Sequence, residues 1–253
     1  MNILECKALT KRYGGKSALE GVDLAIEPGR IVGLLGPNGS GKTTLINAIT
    51  GVYNPTAGSI LFDGRDITKE KLENLVSIGI CRTFQNLKLH KALTVLENVI
   101  VGEHLENTSN FFDAVFRTKR FRENEERARA RAYEQLEKVG LSANANDFVS
   151  ELPYGMQKRL EIARALAMDP KVLILDEPTA GMNAVEAAEQ IALVKKLNEQ
   201  TGLSVILIEH NMKLLMDSVH RVLAIDAGRE IARGLPNEVQ NNPRVISAYL
   251  GED

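Results

Sequence analysis

The sequence predicts an α/β fold, in which a helical block is inserted between two halves of one sheet and the N-terminal part is β structure. Three features carry that expectation. Ile31–Leu35 is a continuous apolar run, as in a strand covered on both faces, and it leads through a glycine-rich stretch into a helical segment. Val172–Leu175, Val205–Ile208 and Arg221–Ile225 are further strand-length apolar runs separated by helical stretches. Between these two halves, Thr94 to Leu141 is patterned mainly as helix.

Each element has its own local signal. Near the N-terminus Val22, Leu24 and Ile26 alternate with Asp23 and Ala25, and Pro28-Gly29 closes that strand. The helix behind the glycine-rich stretch is expected over Thr44–Thr50, stopped by Gly51. Ser59–Phe62 reads as a strand entering the turn Asp63-Gly64. In the helical block, Thr94-Val95-Leu96-Glu97 has capping-box spacing. Arg122–Val139, rich in Glu, Arg and Ala, presents a solvated face and stops at Gly140. Tyr154–Met168 is expected to be helical up to Asp169-Pro170, and Ala184–Asn198 is a second helix before the next strand.

Composition narrows the function classes. The 253 residues are 44% hydrophobic and 25% charged, as in an ordinary globular protein. With 31 Lys+Arg against 33 Asp+Glu the net charge is -2, which gives no reason to expect a nucleic-acid or anionic-membrane surface. Cys6 and Cys81 form no disulfide framework and read as small buried apolar residues in a reducing compartment. The longest apolar runs fall far short of the roughly 20 residues a bilayer span demands. Glu5 lies where a signal peptide would carry its apolar stretch, so a cytosolic protein is expected.

Two motifs carry chemistry. Gly36-Pro37-Asn38-Gly39-Ser40-Gly41-Lys42-Thr43 fits G-x-x-x-x-G-K-[ST], with a strand before it and a helix after it. Glycines let backbone N–H groups converge on phosphate oxygens, and the helix N-terminus adds positive potential. Lys42 supplies a point charge for the β- and γ-phosphates, and the Thr43 hydroxyl can ligate Mg²⁺. The second motif is Val172–Leu175 followed by Asp176 and Glu177, a buried strand ending in two carboxylates. Ligands of open α/β sheets sit at strand C-termini, so Asp176 is expected to hold Mg²⁺ through water and Glu177 to orient or deprotonate the attacking water. Together the motifs indicate a P-loop NTPase.

Leu152-Pro153-Tyr154-Gly155-Met156-Gln157, followed by Lys158–Leu166, resembles the signature motif of ABC ATPases. The spacings to Gln85, to Asp176-Glu177-Pro178-Thr179 and to His210 match that family as well. The resemblance runs from Leu4 to Gly251 and implies a RecA-like core with an antiparallel β subdomain (1–85 and 159–253) and an inserted helical signature subdomain (about 86–158). It further implies that Tyr13 stacks on adenine, that Gln85 reaches Mg²⁺ and the attacking water, and that His210 contacts the γ-phosphate. The catalytic set is then Glu177, His210 and Gln85, and the metal set Thr43, Gln85 and Asp176. Nucleotide contacts are expected from Tyr13, from Gly36 through Thr44 and, across an ATP-sandwich dimer, from Tyr154, Gly155 and Gln157. Two departures stand out. Pro153 replaces the usual Ser and removes a hydroxyl and an N–H, and Tyr154 replaces a second Gly. Asn183 stands where many relatives carry Asp.

Cys81–Leu89, Leu93–Asn98, Ile208–Leu214 and Val245–Glu252 are closely similar to one subfamily, the LivG-type ATP-binding subunits of high-affinity branched-chain amino acid importers. That similarity implies a homodimer or a heterodimer with a paralogous ATPase, two integral-membrane permeases, and an exported substrate-binding protein acting indirectly. It places the chain on the cytoplasmic face of the plasma membrane. Leu87, Leu89, Leu93 and Val95 could dock on a permease or simply pack in the core. A related ATPase for urea, amides or lipopolysaccharide is an alternative, as is a soluble non-transport ABC ATPase. A single phosphate loop, the absence of heptads and the near-neutral charge weigh against the last.

Overall fold

The computed structural model describes residues 1–83, 89–103 and 119–250. Its first part is a four-stranded antiparallel sheet in the order β2-β1-β4-β5, formed by β1 (Leu4–Tyr13), β2 (Lys16–Ile26), β4 (Ala57–Phe62) and β5 (Arg65–Asp66). A second sheet has the order β10-β9-β3-β8-β7-β6. It comprises β3 (Ile31–Leu35), β6 (Ile80–Arg82), β7 (Val172–Asp176), β8 (Ser204–Ile208), β9 (Arg221–Asp226) and β10 (Arg229–Gly234). Neighbours from β9 to β6 run parallel, and only the β9–β10 hairpin is antiparallel.

Strand periodicity divides the core in two. Val32, Leu34, Ile174, Ile206 and Ile208 face the antiparallel sheet and α1 (Lys42–Ile49), whose Leu45, Ile46 and Ile49 complete that layer. Ile31, Leu35, Leu173, Leu175, Val205 and Leu207 face the opposite way, into a layer shared with the helical block. Because every residue of β3, β7 and β8 is buried, these strands read as unbroken apolar runs.

The first half also holds α2 (Leu72–Ser77). In the helical block, α3 (Val95–Glu103) packs on α4 (Lys119–Lys138) and on α5 (Tyr154–Leu166). Thr94 opens α3 with a capping box, its hydroxyl accepting from Glu97 N–H while Glu97 accepts from the Thr94 N–H. Gly102 allows close approach, since a Cβ there would lie 2.8 Å from the Arg164 carbonyl oxygen of α5. The charged α4 is not solvated all round: Ala128, Ala132 and Leu136 form a buried stripe. Val95 is fully buried and Leu89 packs against the same core, so both serve packing. Leu87 lies outside the described residues.

The chain continues through α6 (Ala184–Thr201), α7 (Met212–Met216), α8 (Pro236–Gln240) and α9 (Pro243–Leu250). Cys6 and Cys81 are buried free thiols. Among the described residues no helix is long and apolar enough to cross a membrane.

Candidate functional site

Parallel pairing brings the C-terminal ends of β3, β8, β7 and β6 to one edge of the sheet, and each end carries chemistry. The end of β3 becomes the glycine loop, that of β7 becomes Asp176-Glu177, that of β8 becomes Glu209-His210, and that of β6 carries Arg82.

The glycine loop has the shape its sequence demands. Gly36 has φ 156°, and a Cβ there would meet the Ile225 carbonyl oxygen at 2.2 Å and Ser40 Oγ at 2.5 Å. At Gly39, by contrast, nothing lies within 4 Å of such a Cβ, so that side of the loop is open. Helix α1 begins after Gly41 with no side-chain cap and no acidic residue in its first turn. Its leading N–H groups therefore present an uncompensated positive end, which fits a phosphate. Lys42 Nζ curls back to donate to the carbonyls of Gly36 (2.5 Å) and Pro37 (2.9 Å). Ser40 is buried with its hydroxyl turned toward Gly36, and among the described residues that oxygen has no hydrogen-bond partner. Thr43 is exposed and Thr44 half-buried on the first turn, and Asn38 is exposed on the loop.

The two carboxylates diverge by backbone geometry. Asp176 is the last residue of β7, buried, and its Oδ2 pairs with an Arg82 guanidinium nitrogen at 2.6 Å. Glu177 has φ 51°, a left-handed conformation costly for a non-glycine residue, held by its N–H donating to the Ile208 carbonyl. That turn carries its side chain to His210, where Glu177 Oε1 lies 2.7 Å from His210 Nε2. Among the described residues no group of three or more His, Cys, Asp or Glu could hold a metal ion. Asp176 and the exposed Thr43 hydroxyl offer oxygen donors of the kind magnesium takes alongside phosphates and water.

Tyr13 ends β1 with its ring about half exposed and packs edge-to-face on Tyr53, with ring centroids 5.9 Å apart. The Tyr53 hydroxyl donates to the Thr44 carbonyl at 2.7 Å, which ties this aromatic pair to the phosphate helix. Burial pushes the Tyr53 phenol up, so it stays a donor. Gln85 lies outside the described residues.

The signature segment forms the start of α5. Pro153 takes the N-cap position, again with no side-chain cap and no acidic residue in the first turn. Tyr154 is exposed, and nothing lies within 4 Å of a Cβ at Gly155. The Gln157 amide nitrogen donates to the Leu152 carbonyl at 2.8 Å, so that side chain is engaged in its own loop. Asn183 caps α6 through the N–H groups of Val185 and Glu186.

Sequence reading passed over three residues that this edge brings in. Arg82 bridges Asp176 and Asn47 Oδ1 on α1 (2.6 Å each), joining the metal-side carboxylate to the phosphate helix. Buried Glu209 accepts from the Thr179 N–H (3.0 Å) and hydroxyl (2.8 Å), which fixes the segment after Glu177. Burial, reinforced by the nearby Glu177 charge, raises the Glu209 carboxyl above its ordinary value against the pull of those bonds. Tyr249, on the last helix, accepts a hydrogen bond from the Gly36 N–H. Each lies in a stretch that resembles the subfamily, but only its neighbourhood in space shows what it holds.

Comparison with known proteins gives a consistent result. A family model described as ABC transporter matches residues 19–180. A second, described as branched-chain amino acid ATP-binding cassette transporter, matches residues 229–253. The chain is 43% identical over 250 residues to the high-affinity branched-chain amino acid transport ATP-binding protein BraF of Pseudomonas aeruginosa, covering 99% of this chain and 98% of that one. It is 40% identical over the same shares to the corresponding protein LivG of Escherichia coli. Among solved structures, the ADP conformation of MJ1267, an ATP-binding cassette of an ABC transporter, superposes with TM-score 0.87 at 34% identity and full coverage of both chains. The dimeric structure of MJ0796, a bacterial ABC transporter cassette, superposes with TM-score 0.76 at 29% identity, covering 92% of this chain and 98% of that one.

Proposed function

This chain belongs to the ATP-binding cassette family of ABC transporter ATPases, and from that premise we propose that it drives import of branched-chain amino acids. The observation that carries the ATPase assignment is the single sheet edge where an uncapped helix N-terminus behind Lys42 meets Asp176, Glu177 and His210. The cargo rests on the full-length similarity to BraF and LivG and on the C-terminal match at 229–253.

In the proposed reaction, first-turn N–H groups of α1 and Lys42 grip the β- and γ-phosphates of ATP. For this Lys42 exchanges the Gly36 and Pro37 carbonyls for phosphate oxygens. Bound magnesium would be held by Thr43 and Asp176, with Gln85, and would screen the phosphate charge. Glu177 accepts or orients the proton of the attacking water, and His210, now on Glu177, turns toward the γ-phosphate. Tyr13 offers its exposed ring to adenine.

The dimeric MJ0796 cassette supports pairing of this chain with a second copy or a paralogue, in which the α5 N-terminus at Tyr154 and Gly155 faces the partner's nucleotide. The RecA-like core and β subdomain comprise 1–85 and 159–253 and the helical subdomain about 86–158, so that α5 runs across the second boundary. The helical subdomain docks on two permeases at the cytoplasmic face of the membrane, and an exported binding protein selects the cargo. ATP binding favours the closed dimer, and hydrolysis reopens it.

Uptake of labelled leucine, isoleucine and valine by cells lacking the gene tests the cargo. Loss of uptake, restored by the intact chain but not by Glu177→Gln, is expected. Unchanged uptake of all three, with loss of another solute, would point to a different cargo.

A further inference from the structure

We propose that Tyr249 is a positioning residue for the phosphate loop, so that the C-terminal helix sets nucleotide affinity. The inference rests on the reading that this loop binds ATP phosphates. Three observations carry it.

First, the Tyr249 hydroxyl accepts a hydrogen bond of 3.0 Å from the N–H of Gly36, the first glycine of the loop. Gly36 is buried and wedged against the end of β9, so no water replaces that acceptor. Its own carbonyl meanwhile accepts from Lys42, a bond that must be exchanged when phosphate arrives. Tyr249 thus holds the loop entrance fixed while Lys42 changes partners.

Second, the surrounding C-terminal unit is built to deliver that phenol. Val245 on α9 is fully buried, and Tyr249 packs against the same core as β9. The turn into β10 also grips the loop, since Gly228 N–H donates to the Ser40 carbonyl at 2.8 Å.

Third, the hydrogen bond from helix to loop lies at the loop's base. A groove of about 740 Å³ separates Pro37, Asn38, Gly39 and Ser40 from Pro243 and Ser247. The brace therefore leaves the open side of Gly39 clear for a ligand. The unit matches a family model of its own, separate from the one covering residues 19–180, so this brace is an addition to the ATPase core.

The test is nucleotide affinity of purified Tyr249→Phe, which removes one oxygen and keeps the ring. Binding of fluorescent ATP and ADP analogues is measured with magnesium and with EDTA, beside thermal melts without nucleotide. A buried donor left without its acceptor predicts affinity weaker by about tenfold for both nucleotides, with or without metal. Ile246→Ala, an exposed neighbour on the same helix that does not line the groove, should bind within twofold of the parent. Parental affinity in Tyr249→Phe, with or without a lower melting temperature, would reduce Tyr249 to a packing residue and overturn the proposal. An equal loss in Ile246→Ala would overturn it too. A parent protein that binds neither nucleotide would instead remove the underlying assignment of the loop.

Discussion

His210 Nε2 lies 2.7 Å from Glu177 Oε1, joining the second residue after β8 to the residue after β7 across the edge where phosphate is expected. The contact exists because Glu177 adopts a left-handed backbone, which turns its carboxylate away from Asp176. Asp176 is left to Arg82, and Glu177 to the imidazole.

Separate partners predict separate defects. Glu177→Gln keeps size and hydrogen-bonding capacity while losing the base. Nucleotide affinity should stay within a fewfold of the parent, and turnover should fall by about 10²–10⁴-fold. Equilibrium binding and phosphate release on the same preparation decide this. Retained turnover would remove Glu177 from its role.

Arg82 supports both the carboxylate and the phosphate helix, and its side chain is only 10% exposed. Arg82→Gln leaves the buried Asp176 carboxylate without its cation, at a cost of about 3–5 kcal/mol. For a chain of this size that lowers the melting temperature by roughly 10 °C. Arg82→Lys should recover only part of the loss, because one ammonium does not reproduce a fork reaching both Asn47 and Asp176. Equal stability of the three proteins in thermal melts would show that the bridge is energetically idle.

Much of this arrangement is legible in the chain, for identifiable reasons. Ile31–Leu35 and Val172–Asp176 are buried on both faces, so burial writes itself as continuous apolar sequence, and the glycine loop between strand and helix has few other uses. Thr94 and Glu97 announce their helix start because capping needs those side chains at that spacing. What stays hidden depends on distance along the chain. Arg82 and Asp176 are 94 residues apart, and Tyr249 and Gly36 are 213 apart. No local pattern encodes such a pair. Ile80–Arg82 is too short to show a strand period. The two-residue β5 shows none either. The charges of Arg122–Val139 masked a narrow alanine stripe, because Ala128 and Ala132 need little apolar surface to pack closely.

Glu209 makes a prediction about pH. The folded state raises this carboxyl above its ordinary value of 4.5, chiefly by burial, so its ionised form is disfavoured when folded. The penalty is full above the folded pKa and is relieved as pH falls through it toward 4.5. Glu209→Gln has no such dependence. Across thermal melts from pH 7 to about pH 5, the parent should therefore gain stability relative to Glu209→Gln. A relative gain for the variant on acidification would have the wrong sign and would refute the assignment.

The central claim is that Lys42 and the end of α1 hold a triphosphate facing Asp176 and Glu177. Calorimetric titration of the purified chain with ATP and magnesium tests it most directly, run beside Lys42→Ala. The expected result is saturable one-site binding by the parent and affinity about 10–100-fold weaker for the variant, as for loss of a charged hydrogen bond. No saturable binding by the parent, or equal affinity in the two proteins, would contradict it.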